Sequence, residues 1–212
     1  MTNEVQPLVA VLDYGIGNLR SAQKALERVG ADARLTSDSG LIADADAVVL
    51  PGVGAFGACM DALRDCGLDE VAIEAANDDR PFLGVCVGMQ MLYEGSEETP
   101  GAVGLGVLPG RLRRLPDTVK RPQMQWNLVD IRRPSQLFAP VPDPVWVYFV
   151  HSYAADADGD SVVATCDYGG PVAAAVEREG LWATQFHPEK SGSVGLELMR
   201  GFVDAARLKV GN

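Results

Sequence analysis

Pro81-Phe82-Leu83-Gly84-Val85-Cys86-Val87-Gly88-Met89-Gln90 carries an apolar run into a segment of helical pattern, with a G-x-C-x-G at the join. That is the cysteine form of a nucleophile elbow, a sharp strand-to-helix turn that presents one reactive side chain at its apex. Glycines two before and two after the cysteine remove Cβ atoms where the strand and helix backbones must come close. Cys86 is therefore expected to point into solvent or a pocket. A position at a helix N-terminus would favour its thiolate. The competing reading is a buried cysteine beside a glycine-rich strand end, and only a general base elsewhere in the chain decides between them.

Working outward, other short apolar runs, Leu8–Leu12 and 48–50, alternate with helix-period segments, the pattern of a parallel sheet covered by helices. Asn18 is placed to cap a helix running to about Val29, with Leu19, Ala22, Ala25, Leu26 and Val29 on one face and Gly30 as its stop. Residues 54–79 read as one or two helices broken near Gly67, and Val87 to about Tyr93 as another, stopped at Gly95. From Val103 to Trp182 the pattern changes to short strands, 145–150, 161–166, 172–176 and 181–186, with turn pairs Asp158-Gly159 and Gly169-Gly170 between them. An added antiparallel portion is expected there. A last helix is expected over 194–208, with Leu196, Met199, Phe202 and Val203 inward. The fold class is thus α/β: a mostly parallel central sheet flanked by helices, with an antiparallel addition, in one domain over residues 1–212.

Composition removes several function classes. Eighteen Lys and Arg against 29 Asp and Glu give a net charge of −11, with no basic run to neutralise a series of phosphates, so nucleic acid is not expected as a partner. The first apolar run is too short for a signal-peptide core or a membrane span, which points to a cytoplasmic protein with no membrane contact. Four cysteines, Cys59, Cys66, Cys86 and Cys166, lack the spacing of a zinc site or a disulfide scaffold. Reduced thiols are expected, three of them as small core residues. No metal or organic cofactor is indicated.

The chain holds two histidines, His151 and His187. His187 is the stronger base: it lies in Gln185-Phe186-His187-Pro188-Glu189-Lys190, where Pro188 biases it toward extended backbone and puts residues 187 and 189 on one face. An imidazole can then take the thiol proton while the Glu189 carboxylate fixes its tautomer. Alone, H-P-E reads better as a surface turn; paired with the elbow it reads as catalytic. Pro51-Gly52-Val53-Gly54 follows an apolar strand and can aim backbone N–H groups into the crevice. With the amide of Val87, Gly52 and Val53 would form an oxyanion hole, Gly52 letting the loop reorient a peptide; an ordinary strand-to-helix turn explains the same residues locally.

Taken together these segments resemble the class I, triad-type glutamine amidotransferases. Within them the chain looks most like the glutaminase subunits of imidazole glycerol phosphate synthases. The likeness runs over nearly the whole length, through Asp13-Tyr14-Gly15-Ile16-Gly17-Asn18-Leu19, Pro51-Gly52-Val53-Gly54, Gly84-Val85-Cys86-Val87-Gly88-Met89-Gln90, Tyr148-Phe149-Val150-His151-Ser152-Tyr153 and Gln185-Phe186-His187-Pro188-Glu189-Lys190-Ser191. It implies a flavodoxin-like fold and a Cys86–His187–Glu189 triad that hydrolyses L-glutamine through a thioester. It implies substrate contacts from Gln90, Glu98, His151, Ser152 and Tyr153. It further implies a heterodimer with a (β/α)8 cyclase subunit that uses the ammonia to make imidazole glycerol phosphate and an aminoimidazole carboxamide ribotide in histidine synthesis. Asn18, Gln123, Trp126, Tyr148 and Lys190 would face or gate that partner. One departure stands out: Gln125 occupies Met124-Gln125-Trp126-Asn127, where the family commonly has glycine. Other readings remain open at this stage: a triad glutaminase serving another synthase, such as pyridoxal phosphate synthase, a cysteine hydrolase of γ-glutamyl peptides, or a silent binding module.

Overall fold

The computed structural model describes residues 6–210. Its parallel half alternates strand and helix: β1 (Leu8–Leu12), α1 (Leu19–Arg28), β2 (Asp32–Thr36), α2 (Ser39–Asp44), β3 (Ala47–Gly52), α3 (Phe56–Asp65), α4 (Asp69–Asn77), β4 (Phe82–Cys86) and α5 (Val87–Met91). There follow β5 (Gly95–Ser96), β6 (Arg111–Arg114), β7 (Gln123–Ile131), β8 (Val145–His151), β9 (Tyr153–Ala154), β10 (Val162–Asp167), β11 (Pro171–Arg178) and β12 (Leu181–Thr184). A 3-10 turn, Pro188–Lys190, leads into α6 (Gly192–Val210).

Among the described residues, nine strands form one sheet in the order β2-β1-β3-β4-β12-β11-β10-β7-β8, and β5, β6 and β9 form a small second sheet. From β2 to β12 every pair is parallel; from β12 to β8 every pair is antiparallel. The expected parallel sheet and its antiparallel addition are thus one continuous surface. Strand β12 is the seam. Expected as part of the antiparallel portion, it pairs antiparallel with β11 yet parallel with β4, Thr184 lying beside Val85. That pairing carries the chain from β12 toward the end of β4 where Cys86 sits.

Burial explains why the strands form where they do. Residues of β1, β3 and β4 are buried on both faces, so they read as unbroken apolar runs. Gly67 at φ +66 separates α3 from α4, giving two helices where the sequence allowed one or two. Asn18 stands at the N-cap of α1, but its side chain makes no capping hydrogen bond, so it does not act as the expected cap. Cys66, expected in the core with Cys59 and Cys166, is exposed at the end of α3; the four thiols are all free. Gln125 sits in β7 opposite Phe149 as an ordinary strand residue, at negative φ, so the departure at this position leaves the backbone undisturbed. Among the described residues no helix is long and apolar enough to cross a membrane.

Candidate active site

The turn from β4 into α5 places Cys86 at φ +55, ψ −110, one of two non-glycine residues with positive φ among those described. Such a conformation costs an L-residue about 1–3 kcal/mol and survives only where the surroundings enforce it. Close packing does so here. A Cβ on Gly88 would lie 1.8 Å from the Leu50 carbonyl oxygen, and one on Gly84 3.1 Å from the backbone of Met89. Gly52 pairs with Cys86 across the sheet, and its own Cβ would come within 2.7 Å of the Gly88 nitrogen. Gly52 therefore has a packing role as well: its missing side chain lets β3 and the elbow touch. Because α5 is only five residues long, its dipole is small, and activation of Cys86 falls chiefly to its neighbours.

Cys86 lines a cavity of about 330 Å3. The same cavity collects Val53, Val87, Gln90, Glu98, His151, Ser152, Tyr153, His187 and Lys190 from five separate stretches of chain. Gly52 lies beneath it. Glu189 lies behind His187, and Asn18, Gln123, Trp126 and Tyr148 lie outside it. A larger cavity of about 550 Å3 elsewhere, around Tyr93, Arg111, Arg133, Asp156 and Arg178, contains no nucleophile paired with a base. Size alone thus points away from the chemistry. Among the described residues no group of His, Cys, Asp and Glu is arranged to hold a metal ion.

His187 Nδ1 is 2.8 Å from Glu189 Oε1, and both side chains are almost fully enclosed. The contact forms differently from expectation: His187 is extended at φ −101, ψ 99, but Glu189 lies in the 3-10 turn begun by Pro188, which swings its carboxylate back under the ring. Burial alone would lower the His187 pKa. Hydrogen bonds and opposite charge from Cys86 and Glu189 outweigh burial and raise it to about 9. The base is held to a strand by its backbone, His187 N–H donating to the Tyr148 carbonyl at 3.0 Å. Ser191 Oγ accepts from Tyr148 N–H and donates to the His187 carbonyl.

The cavity wall has limited hydrogen-bonding freedom. Gln90 spends its amide nitrogen on the Tyr153 carbonyl (2.9 Å) and on Gln185 Oε1 (3.0 Å). A primary amide has two N–H donors, so Gln90 can offer a substrate only its carbonyl oxygen, an acceptor suited to an ammonium. Glu98 accepts from Phe56 N–H at the start of α3 through one oxygen (2.7 Å) and faces the cavity as a carboxylate. His151 is pinned between the Tyr153 carbonyl (3.0 Å) and Gln123 (2.9 Å), and burial lowers its pKa to about 4. A neutral ring that donates from Nδ1 to Tyr153 accepts at Nε2, which requires Gln123 to turn its amide nitrogen toward His151. Gln123, expected to face or gate a partner, is fully buried in this pair, which leaves it no surface of its own to offer.

The loop before α3 is anchored on both sides of Gly52. Tyr14 Oη donates to the Pro51 carbonyl (2.6 Å), and Cys59 Sγ donates to the Val53 carbonyl (3.3 Å). Val87 N–H belongs to the first turn of α5, where backbone N–H groups have no helical acceptor. Sequence reasoning missed Tyr14 and Gln185 as parts of the site, although both lie inside quoted motifs; the signal was a buried polar side chain next to each loop.

Beside the cavity, Met124, Trp126 and Leu128 of β7 alternate outward and stand opposite Val150, Tyr148 and Trp146 of β8. Met124, Trp126, Leu128 and Trp146 are 43–61% exposed, and Trp126 packs edge-on against Tyr148 at 6.3 Å. Val150 belongs both to this strip and to the cavity lining.

A strained cysteine facing a buried histidine–carboxylate pair is the working centre of an acyl-transfer enzyme, and the sequence comparison agrees. Residues 10–205 match the family description "Glutamine amidotransferase class-I", and the chain belongs to that family. Within the class it belongs with the proteins named imidazole glycerol phosphate synthase subunit HisH. The one from Methanothermobacter thermautotrophicus is 48% identical over 94% of this chain and 100% of its own length. That from Syntrophotalea carbinolica is 46% identical over 93% and 100%. Among solved structures, PurLQS from Thermotoga maritima superposes with a TM-score of 0.74 over 98% of this chain and 100% of that chain at 20% identity. A glutamine amidotransferase structure gives 0.72 over 93% and 98%, also at 20% identity. These two establish the fold: α/β, with helices flanking a central sheet whose core is parallel.

Proposed function

We propose that this chain hydrolyses L-glutamine to glutamate and ammonia at Cys86 and delivers the ammonia to a cyclase subunit with a (β/α)8 barrel. That subunit makes imidazole glycerol phosphate and an aminoimidazole carboxamide ribotide in histidine synthesis. The observation that carries the chemistry is the buried His187–Glu189 pair facing a cysteine held at φ +55 in a cavity of amino-acid size. Cys86 Sγ attacks the side-chain amide carbon of glutamine, and the oxyanion is met by Val87 N–H and the backbone of Gly52-Val53. His187 gives its proton to the departing ammonia, leaving a γ-glutamyl thioester. Water then attacks, His187 takes its proton, and glutamate leaves as the thiol is restored. Gln90 Oε1 and the Glu98 carboxylate take the α-ammonium; Ser152 and Tyr153 line the same wall, and His151 acts through its bond to the Tyr153 carbonyl.

The apolar strip of β7 and β8 supports the partner assignment. Exposed tryptophans in a contiguous face are what a docking core is made of. Trp126, Tyr148, Lys190 and Asn18 are assigned to the partner-facing rim; Gln123 acts from beneath it. The chain is read as one domain over 1–212, on its single continuous core; residues 1–5 and 211–212 lie outside the described part. A cytoplasmic location belongs to the same reading and is supported by its likeness to biosynthetic enzymes. The test is Cys86→Ala in the assembled complex. Glutamine-dependent product formation should vanish while synthesis from added ammonium persists; continued glutamate release would overturn the assignment.

A further inference from the structure

We propose that Gln185 is a positioning residue for the nucleophile: it donates an amide N–H to Cys86 Sγ, and the backbone carbonyl of Tyr153 fixes the direction of that donation. The proposal rests on the reading of Cys86 as nucleophile and concerns a residue given no role above.

The argument is one of hydrogen-bond polarity. Gln185 follows β12 and is fully buried, its backbone N–H held by the Ala174 carbonyl. Three polar groups run in series from Tyr153 to Cys86. The Tyr153 carbonyl can only accept, so the Gln90 amide must present nitrogen to it, at 2.9 Å. That same nitrogen lies 3.0 Å from the Gln185 side chain, which must therefore offer oxygen. Gln185 then has no choice but to aim its nitrogen at Cys86 Sγ, 3.8 Å away. Reversing either amide would set two acceptors or two donors against each other between side chains that are buried.

The opposing contact shows what this donation does. The Val150 carbonyl oxygen lies 3.9 Å from Cys86 Sγ, an acceptor that suits the protonated thiol and repels the thiolate. Gln185 supplies the compensating donor from another element. An N–H aimed at the sulfur on one side, against a carbonyl on the other, fixes the direction of the nucleophile and stabilises the negative charge it carries into attack. Gln185 does not line the cavity; it acts through the sulfur.

The test follows alkylation of Cys86 by iodoacetamide in the full chain, read by mass spectrometry from pH 6 to 10, with Cys66→Ser removing the exposed thiol. In Gln185→Met the alkylation rate at pH 7 and the glutamine kcat of the assembled complex should fall together by about tenfold, with KM for glutamine held within about twofold. The deficit should shrink as pH approaches 10, because hydroxide then removes the proton without help. Gln185→Glu, which keeps length and shape but faces the sulfur with oxygen, should fall further than Gln185→Met; a merely space-filling role predicts the reverse order. Rates at pH 7 within twofold of the parent in either variant overturn the proposal. On the parent chain alone, the side-chain amide resonances of Gln185 should move when Cys86 is alkylated, and unmoved resonances overturn it equally. A parent still able to hydrolyse glutamine after alkylation at Cys86 would instead sink the nucleophile assignment itself.

Discussion

The elbow at Cys86 and the hairpin of β7 and β8 stand side by side and obey opposite rules. At the elbow every residue from Phe82 to Met91 is buried, and glycine positions are set by contacts of 1.8–3.1 Å. On the hairpin, large apolar side chains stand in water although nothing in the fold needs them there. Interior packing is the reason for the first region; the proposed docking of a cyclase subunit would account for the second. The two are joined at Tyr148, whose ring meets Trp126 while its backbone holds His187 and Ser191. The nucleophile thus sits in a closely packed turn, and Tyr148 links that turn to an exposed apolar strip.

Substitutions should separate the two regions. The largest effect expected is at the elbow: Cys86→Ala should lower glutamine turnover by about 10^4-fold or more while leaving partner affinity unchanged, measured by glutamate release and by titration of the two subunits. Gly88→Ala pushes a methyl group into the Leu50 carbonyl and should cost about 4 kcal/mol of stability in urea unfolding. A loss under about 1 kcal/mol would mean the elbow yields, and the contrast with the hairpin would weaken. Glu189→Gln should reduce kcat by about 10^2-fold with KM little changed.

Cys86, and after it the same carboxylate, sets a pH limit through His187. Because the His187 pKa is raised to about 9, the stability contributed by its protonated form is complete below its ordinary value of 6.5 and lost as pH rises through about 9. Turnover should fall over the same alkaline range, since the imidazolium that protonates ammonia disappears. In Glu189→Gln both alkaline limbs should move to lower pH; limbs that stay put would assign them to another group. The smallest effect on the chain itself is expected on the hairpin. Trp126→Ala or Trp146→Ala should change stability by no more than about 0.5 kcal/mol yet weaken partner binding by about 30-fold. A variant that unfolds instead would show that the strip serves the fold.

These contrasts explain what the sequence could and could not reveal. The parallel core was legible because β1, β3 and β4 are buried on both faces and spell continuous apolar runs. Strand β2, Asp-Ala-Arg-Leu-Thr at the sheet edge, was not, because only Ala33 is buried and its polar neighbours hide the pattern. Strand β7 escaped for the opposite reason: its outward residues are apolar and its inward ones include Gln123, inverting the usual alternation. Cys86, His187 and Glu189 could be found from spacing, since the elbow and the proline each impose a local shape. Gln185 and Tyr14 could not. Their roles depend on partners 99 and 37 residues away, Cys86 and the Pro51 carbonyl, which no local pattern encodes.

The exposed strip of β7 and β8 also bears on supply. Met124, Trp126, Leu128 and Trp146 make every uncovered copy adhesive. With the strip covered as proposed, a surplus of this chain over its partner would leave sticky copies in excess, and matched synthesis of the two would avoid them.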